Sequence, residues 1–184
     1  MKNLILPILL LFLYSCSSIT VTADYDKEVD FTNYKTFSFL KWRDDNNRLV
    51  NEFDKRRLEV AVANEMNARG YSFAETEGEL AISIYVILED KTSYTAYTDY
   101  YGGYGYYRSP WGYGGAGRTT VSQYDYTQGT VIFNVFDAQQ KKLIWQGTAI
   151  GEVNRYSENK EDNVRKGVAE VFARYPISKS IEKK

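Results

Sequence analysis

Apolar and polar residues alternate over residues 19–25, with Ile19, Val21, Ala23 and Tyr25 set against Thr20, Thr22 and Asp24. That is the pattern of a half-buried strand. A polar, turn-like stretch at 26–30 leads to a second β-rich run at 34–40. Residues 43–48 (RDDNNR) read as a polar loop with no contribution to a core. Helical spacing follows over 51–69. Leu58, Ala61, Val62, Glu65 and Met66 mark one face, and Lys55, Arg56, Glu59 and Asn67 fall mostly elsewhere. Asn51 or Asp54 is placed to cap the start, and Gly70 stands where a C-terminal glycine is expected. Residues 80–88 alternate again, carrying Leu80, Ile82, Ile84, Val86 and Leu88 on one face. Two further strands are expected at 130–136 and 143–153, joined by the polar stretch 137–141 as an antiparallel hairpin. Val164, Gly167, Val168, Val171, Phe172 and Tyr175 form a last helical stripe, ended by Pro176.

Strands, helix, strands, helix is an α+β order. It predicts an antiparallel-rich β-sheet with two amphipathic helices packed on one face. The expected organisation is one domain over 19–177, followed by a frayed tail at 178–184.

The periodicity breaks between residues 94 and 126, whose centre at 100–117 reads YYGGYGYYRSPWGYGGAG. Glycine at this density weakens helix and strand alike. Tyr104, Tyr106, Tyr107, Trp111 and Tyr113 are the candidate contacts here, because their rings are apolar in body and polar at the tip. Such a loop suits a glycan or small ligand, a lipid interface or a partner protein. The competing reading is a long hairpin loop between the strand at 80–88 and one near 119–126. Loop closure entropy grows slowly enough to tolerate that length. Trp42 and Trp145 stand in strand-like surroundings and read as core or sheet-face aromatics.

The start of the chain adds an address. Lys2, the apolar run at 4–13 (LILPILLLFL) and a small-residue site come in signal-peptide order, and the run is too short to cross a bilayer. Residues 13–16 (LYSC) resemble the lipobox of bacterial lipoproteins. The resemblance implies removal of residues 1–15, acylation of Cys16 and a short tether at 16–18. Tyr14 is bulkier than the usual occupant of its position. Cys16 is the only cysteine, which fits a residue spent on an anchor. Two or three acyl chains hold firmly where one does not. No Asp follows the cysteine, so by analogy the expected site is the periplasmic face of the outer membrane.

Composition then narrows the chemistry. The formal net charge is -1, which leaves no basic excess for nucleic acid. The chain has no histidine, and so lacks the commonest general base and metal ligand. Asp24, Asp26, Glu28 and Asp30 read as a solvated turn. They lack the glycine and terminal glutamate of a calcium loop, and Lys27 interrupts them. Ser157 and Lys160 match a Ser-x-x-Lys pattern, yet Ser157 reads better as preceding or capping the last helix. Neither catalytic residues, metal nor cofactor are expected.

Asp24-Tyr25-Asp26, Val29-Asp30-Phe31 and Tyr34-Lys35-Thr36-Phe37 resemble the opening of domain-of-unknown-function family 4136, found in bacterial envelope lipoproteins. Arg69-Gly70-Tyr71, Glu79-Leu80-Ala81-Ile82, residues 129–137 and Leu143-Ile144-Trp145-Gln146-Gly147 continue the resemblance in order. It covers nearly all of the chain after the signal segment. The resemblance implies a compact α+β envelope domain and supplies no activity. The expectation is therefore a non-enzymatic, membrane-anchored lipoprotein that binds or scaffolds another envelope component. A glycan or small-ligand binder using the Tyr/Trp-rich loop is the alternative, and an envelope hydrolase the remote one.

Overall fold

Alternating apolar residues give a computed structural model six strands, and it describes residues 19–99, 118–154 and 157–179. The strands are β1 (Thr20–Tyr25), β2 (Thr36–Phe39), β3 (Ser72–Phe73), β4 (Leu80–Asp99), β5 (Arg118–Asp137) and β6 (Lys142–Glu152). They form one sheet in the order β1-β6-β5-β4-β2-β3. The β1/β6, β6/β5 and β5/β4 pairs are antiparallel. β2 runs parallel to both β4 and β3. A parallel pair needs a long crossover. The helices α1 (Asp44–Leu49) and α2 (Glu52–Asn67) supply it between β2 and β4, and α3 (Lys160–Phe172) follows β6. The fold is mixed α+β with a mostly antiparallel sheet.

The core forms where the two periodicities meet. Alternate residues of β4 (Leu80, Ile82, Ile84, Val86) are buried, and Phe133 and Val135 stand opposite Ile84 and Ile82. Leu58, Ala61, Val62 and Met66 of α2 join Val168, Val171 and Phe172 of α3 in the same apolar cluster. Trp145 lies at its centre, 1% exposed, with ring centroids 5.0 Å from Phe172 and 5.1 Å from Tyr175. Gly147 makes room for it. A Cβ there would stand 2.3 Å from the Trp145 ring and 2.4 Å from Val171, closer than atoms tolerate. Asn51 caps α2, accepting the Asp54 amide at 2.9 Å, and Gly70 ends that region at a φ of 91°.

Three sequence expectations need correction. Residues 43–48 are not a loop outside the core: they enter α1, and Asn46 is fully buried. Its amide donates to the Val86 carbonyl at 3.1 Å and accepts the Val86 amide at 2.6 Å. An asparagine side chain carries the same donor and acceptor as a peptide, so Asn46 stands in for a neighbouring strand where β2 has ended.

Lys55, expected away from the buried face, is 5% exposed. Its ammonium lies 2.5 Å from Glu52 and 5.9 Å from the Trp42 ring centre, so charge pairing and an aromatic face compensate its burial. Trp42 itself is partly buried and donates to Glu59 at 2.6 Å.

The strand at 80–88 and the strands near 119–126 and 130–136 are also longer than periodicity alone indicates. β4 continues to Asp99, and β5 is one strand from Arg118 to Asp137.

Candidate functional site: a projecting β-arm

The extra length of β4 and β5 makes the most unusual feature of the molecule. β2 pairs with β4 only at Leu80, Ala81 and Ile82, and β6 pairs with β5 only from Gln128 onward. Beyond those points β4 and β5 pair with each other, from Asp90↔Thr127 to Asp99↔Arg118. The result is a two-stranded arm about 30 Å long at the strand rise. Among the described residues no strand pairs with its outer edges. Thr, Tyr, Val and Ser dominate it, and β-branched and aromatic residues suit a pleated surface.

The arm's base is polar and tied by side chains. Thr92 donates to Asp125 at 2.8 Å, and Thr127 donates to Asp90 at 2.9 Å across the strands. Lys91 pairs with Glu89 at 2.6 Å, which raises the lysine pKa. The Tyr124 hydroxyl donates to Glu152 at 2.7 Å, and that carboxylate raises the phenol's pKa. Tyr124 and Tyr126 stack, with ring centroids 6.0 Å apart and planes 13° from parallel. These groups surround a cleft of about 440 Å³ lined by Asp90, Tyr124, Asp125, Tyr126, Thr127 and Glu152 among others. Further out, apolar side chains stand in solvent: Tyr94 is 68% and Val121 60% exposed.

A larger open cleft of about 880 Å³ lies at the opposite end of the sheet, between β2, the start of β4 and the β5–β6 turn. The Tyr34 hydroxyl donates to Asp137 at 2.9 Å there, and Asp137 accepts the Gln140 amide at 2.7 Å. The amide bond from Gln140 is the main reason Asp137 titrates below its ordinary value. Burial, reinforced by Asp137, pushes Tyr34 up to about 12. Near neutral pH the carboxyl is therefore ionised and the phenol protonated, an arrangement that ties the turn to the segment before β2. Glu79 is committed in the same way. Its carboxylate accepts the amides of Lys35 at 2.5 Å and Thr36 at 3.1 Å, which lower its pKa.

Cys16 and the expected contacts Tyr104, Tyr106, Tyr107, Trp111 and Tyr113 lie outside the described residues. Covalent connectivity still fixes that residues 100–117 join the paired ends Asp99 and Arg118. Asp24, Asp26 and Asp30 each accept a nearby backbone amide, from Tyr25, Glu28 and Thr32. Asp26 also receives Lys142 at 2.6 Å, the largest cause of its lowered pKa. Among the described residues no three acidic or other ligating side chains are grouped to hold a metal ion. Ser157 accepts from the Asn159 amide and the Asn163 side chain ahead of α3. Sequence reasoning missed Asn46 and the Tyr34–Asp137 pair. The only signal for the second was a lone aspartate at a strand end.

Comparison with known proteins places this geometry. A PDZ domain protein from Parabacteroides distasonis has a similar solved structure, with a TM-score of 0.53 at 14% identity. The match covers 89% of this chain, and the chain spans 37% of that protein's length, so the likeness concerns fold. Two PelC dodecamer structures from Paraburkholderia phytofirmans match less closely. They show TM-scores of 0.43 and 0.46 at 14% and 12% identity, each covering 84% of this chain and 95% of theirs. No curated protein matches the chain. The family described as "Domain of unknown function (DUF4136)" matches residues 21–177, nearly the whole described fold, and the chain belongs to that family.

Proposed function

We propose that this protein is a membrane-anchored envelope lipoprotein whose α+β domain binds or supports another envelope component and performs no catalysis. In this reading residues 1–15 are removed, Cys16 carries the lipid, and residues 16–18 tether the domain to the periplasmic leaflet of the outer membrane. α2 and α3 cover one face of the sheet, leaving the other face and the arm to meet the component. The observation that carries the reading is the arm, whose paired residues end in open edges and the exposed side chains of Tyr94 and Val121. Exposed strand edges invite unwanted pairing, and proteins normally blunt them with charge, proline or cover. An edge kept long and free of charge over residues 92–98 and 119–124 is best understood as a contact surface.

One observation favours a second reading, a glycan binder. The stacked Tyr124 and Tyr126 rings border a cleft lined by Asp90, Asp125 and Glu152. Aromatic faces and carboxylates together suit sugar rings and their hydroxyls.

Two measurements test the proposal. Mass spectrometry of the mature protein should find the N-terminal residue to be acylated Cys16. A photocrosslinker at Tyr124 should trap a defined envelope component in native membranes, and one at Lys141 should trap far less. An unprocessed N-terminus, or equal sparse trapping at both positions, counts against the reading. Adducts of saccharide mass at Tyr124 select the glycan version.

A further inference from the structure

We propose that the distal half of the arm rests in the lipid leaflet that holds the anchor, so that the domain stands arm-end down on the membrane. The inference rests on the anchored reading and names the leaflet as the component the arm meets. It begins with register. Thr20 is level with Ile150, Thr130 and Ile87 across the sheet, and Tyr25 with Trp145, Val135 and Ile82. β1 is therefore entered from the end of the sheet that carries the arm. From Ile87 to Asp99 the strand advances about 40 Å.

The tether limits what the body can do. From Cys16 to Thr20 a fully extended chain reaches about 14 Å at most. With Cys16 at the membrane surface, Thr20 stays within that distance of it. The inverted orientation is closed, because the far end of the body, at Leu80 and Asp137, lies about 24 Å from the level of Thr20. Standing on that end would lift Thr20 beyond its tether. A body standing the other way brings an arm that overreaches the anchor by about 25 Å, so the arm must tilt or bend along the interface rather than enter it end-on. A body lying on the β1 edge is also within reach. It leaves the arm two strand spacings, about 10 Å, above the surface.

The arm's own chemistry selects the standing orientation. Its base is charged, with Glu89, Asp90, Lys91 and Asp125, and faces Glu152. No charged residue follows through 92–98 or 119–124, until Asp99 and Arg118 stand opposite each other in register. Ala96 pairs with Val121, and Tyr94 sits two positions along the same face beside its partner Gln123, so the distal half carries an uncharged face whose apolar members are Tyr94, Ala96 and Val121. Tyrosine is favoured at the membrane–water boundary. The arm does not cross the bilayer, because its open edges would leave backbone amides and carbonyls unpaired in hydrocarbon. Headgroup depth satisfies both demands, with water at the edges and lipid against Tyr94 and Val121.

The test uses the full acylated chain, in which Cys16 is blocked and an introduced thiol is the only one free. V121C and A96C place an environment-sensitive fluorophore on the arm, and Q139C places it at the opposite end of the sheet. Each is reconstituted in phosphatidylethanolamine–phosphatidylglycerol vesicles containing nitroxide-labelled lipid. The arm positions should shift to the blue and be quenched several-fold more than Q139C. Water-like emission at all three positions, from protein that floats with the vesicles, overturns the arm placement and leaves the anchor standing. Quenching at Q139C alone overturns it by reversing the orientation. Protein that neither floats nor carries an acylated Cys16 overturns both readings together.

Discussion

β4 and β5 are one continuous pair of strands with two different fates. In the body half, Ile82 faces Val135 and Ile84 faces Phe133, and all four are at most 7% exposed. In the arm half, Tyr94 faces Gln123 and Ala96 faces Val121, with Tyr94 and Val121 largely in solvent. The backbone ladder is the same in both halves. The difference lies in what covers the side chains. Helices, β6 and β2 flank the body half, and among the described residues the arm half pairs only with its twin strand. Strand pairing thus sets where a strand runs, and burial of one face sets where it contributes stability. An isolated two-stranded ribbon is marginal in water. That difference is the ground on which a contact role is proposed for the arm.

The body should be most sensitive to substitution at its centre. Trp145→Ala removes the ring packed against Phe172 and Tyr175 and should cost about 3–5 kcal/mol in urea unfolding. Asn46→Ala should cost somewhat less, about 2–4 kcal/mol, because it leaves the amide and carbonyl of Val86 without their side-chain partner. That change also tests whether the body half of β4 needs its substitute neighbour. Backbone exchange at Val86 should accelerate more than at Ile84.

Acid sharpens the contrast between the two ends of the sheet. Asp137 and Glu79 titrate below their ordinary values of 3.8 and 4.5, chiefly through backbone amides. A carboxyl lowered in the folded state contributes stability that is complete above its unfolded value and lost as pH falls through the folded one. Thermal midpoints should therefore hold steady down to about pH 5 and decline below it. Asp137→Asn should flatten part of that decline. On the arm, Tyr94→Ser should change the unfolding free energy by less than about 0.5 kcal/mol, as expected of an exposed site. A larger loss would show the arm to be part of the folding unit.

What was legible in the sequence follows the same division. β1, β2, α2, β6 and α3 announce themselves because each packs apolar residues against the core, and that packing writes a period near two or 3.6 residues into the chain. Among its described side chains the arm has no buried face, so Thr92, Ser93, Thr95, Ser122 and Gln123 keep the strand conformation through propensity and pairing. Nothing in hydrophobic period marks them. Asn46 was illegible for another reason. A buried asparagine that mimics a peptide looks, in sequence, like any asparagine in a polar run. The place of β2 between β4 and β3 was hidden as well, since parallel pairing leaves no local turn signal. Of the candidate site, the Tyr-rich composition was visible and the pairing of β4 with β5 out to Asp99 and Arg118 was not.

If the body carries stability and the arm carries the proposed contact, the two should come apart on deletion. Joining Lys91 to Tyr126, which are register partners, through an Asn-Gly turn removes the distal arm and everything between its strands. The shortened, acylated protein should unfold within about 1 kcal/mol of the full chain and still be carried to the membrane. A fluorophore beside the new turn should read water, where V121C in the full chain reads lipid. Unfolding several kcal/mol easier than the full chain, or unchanged lipid contact without the distal arm, would contradict that separation.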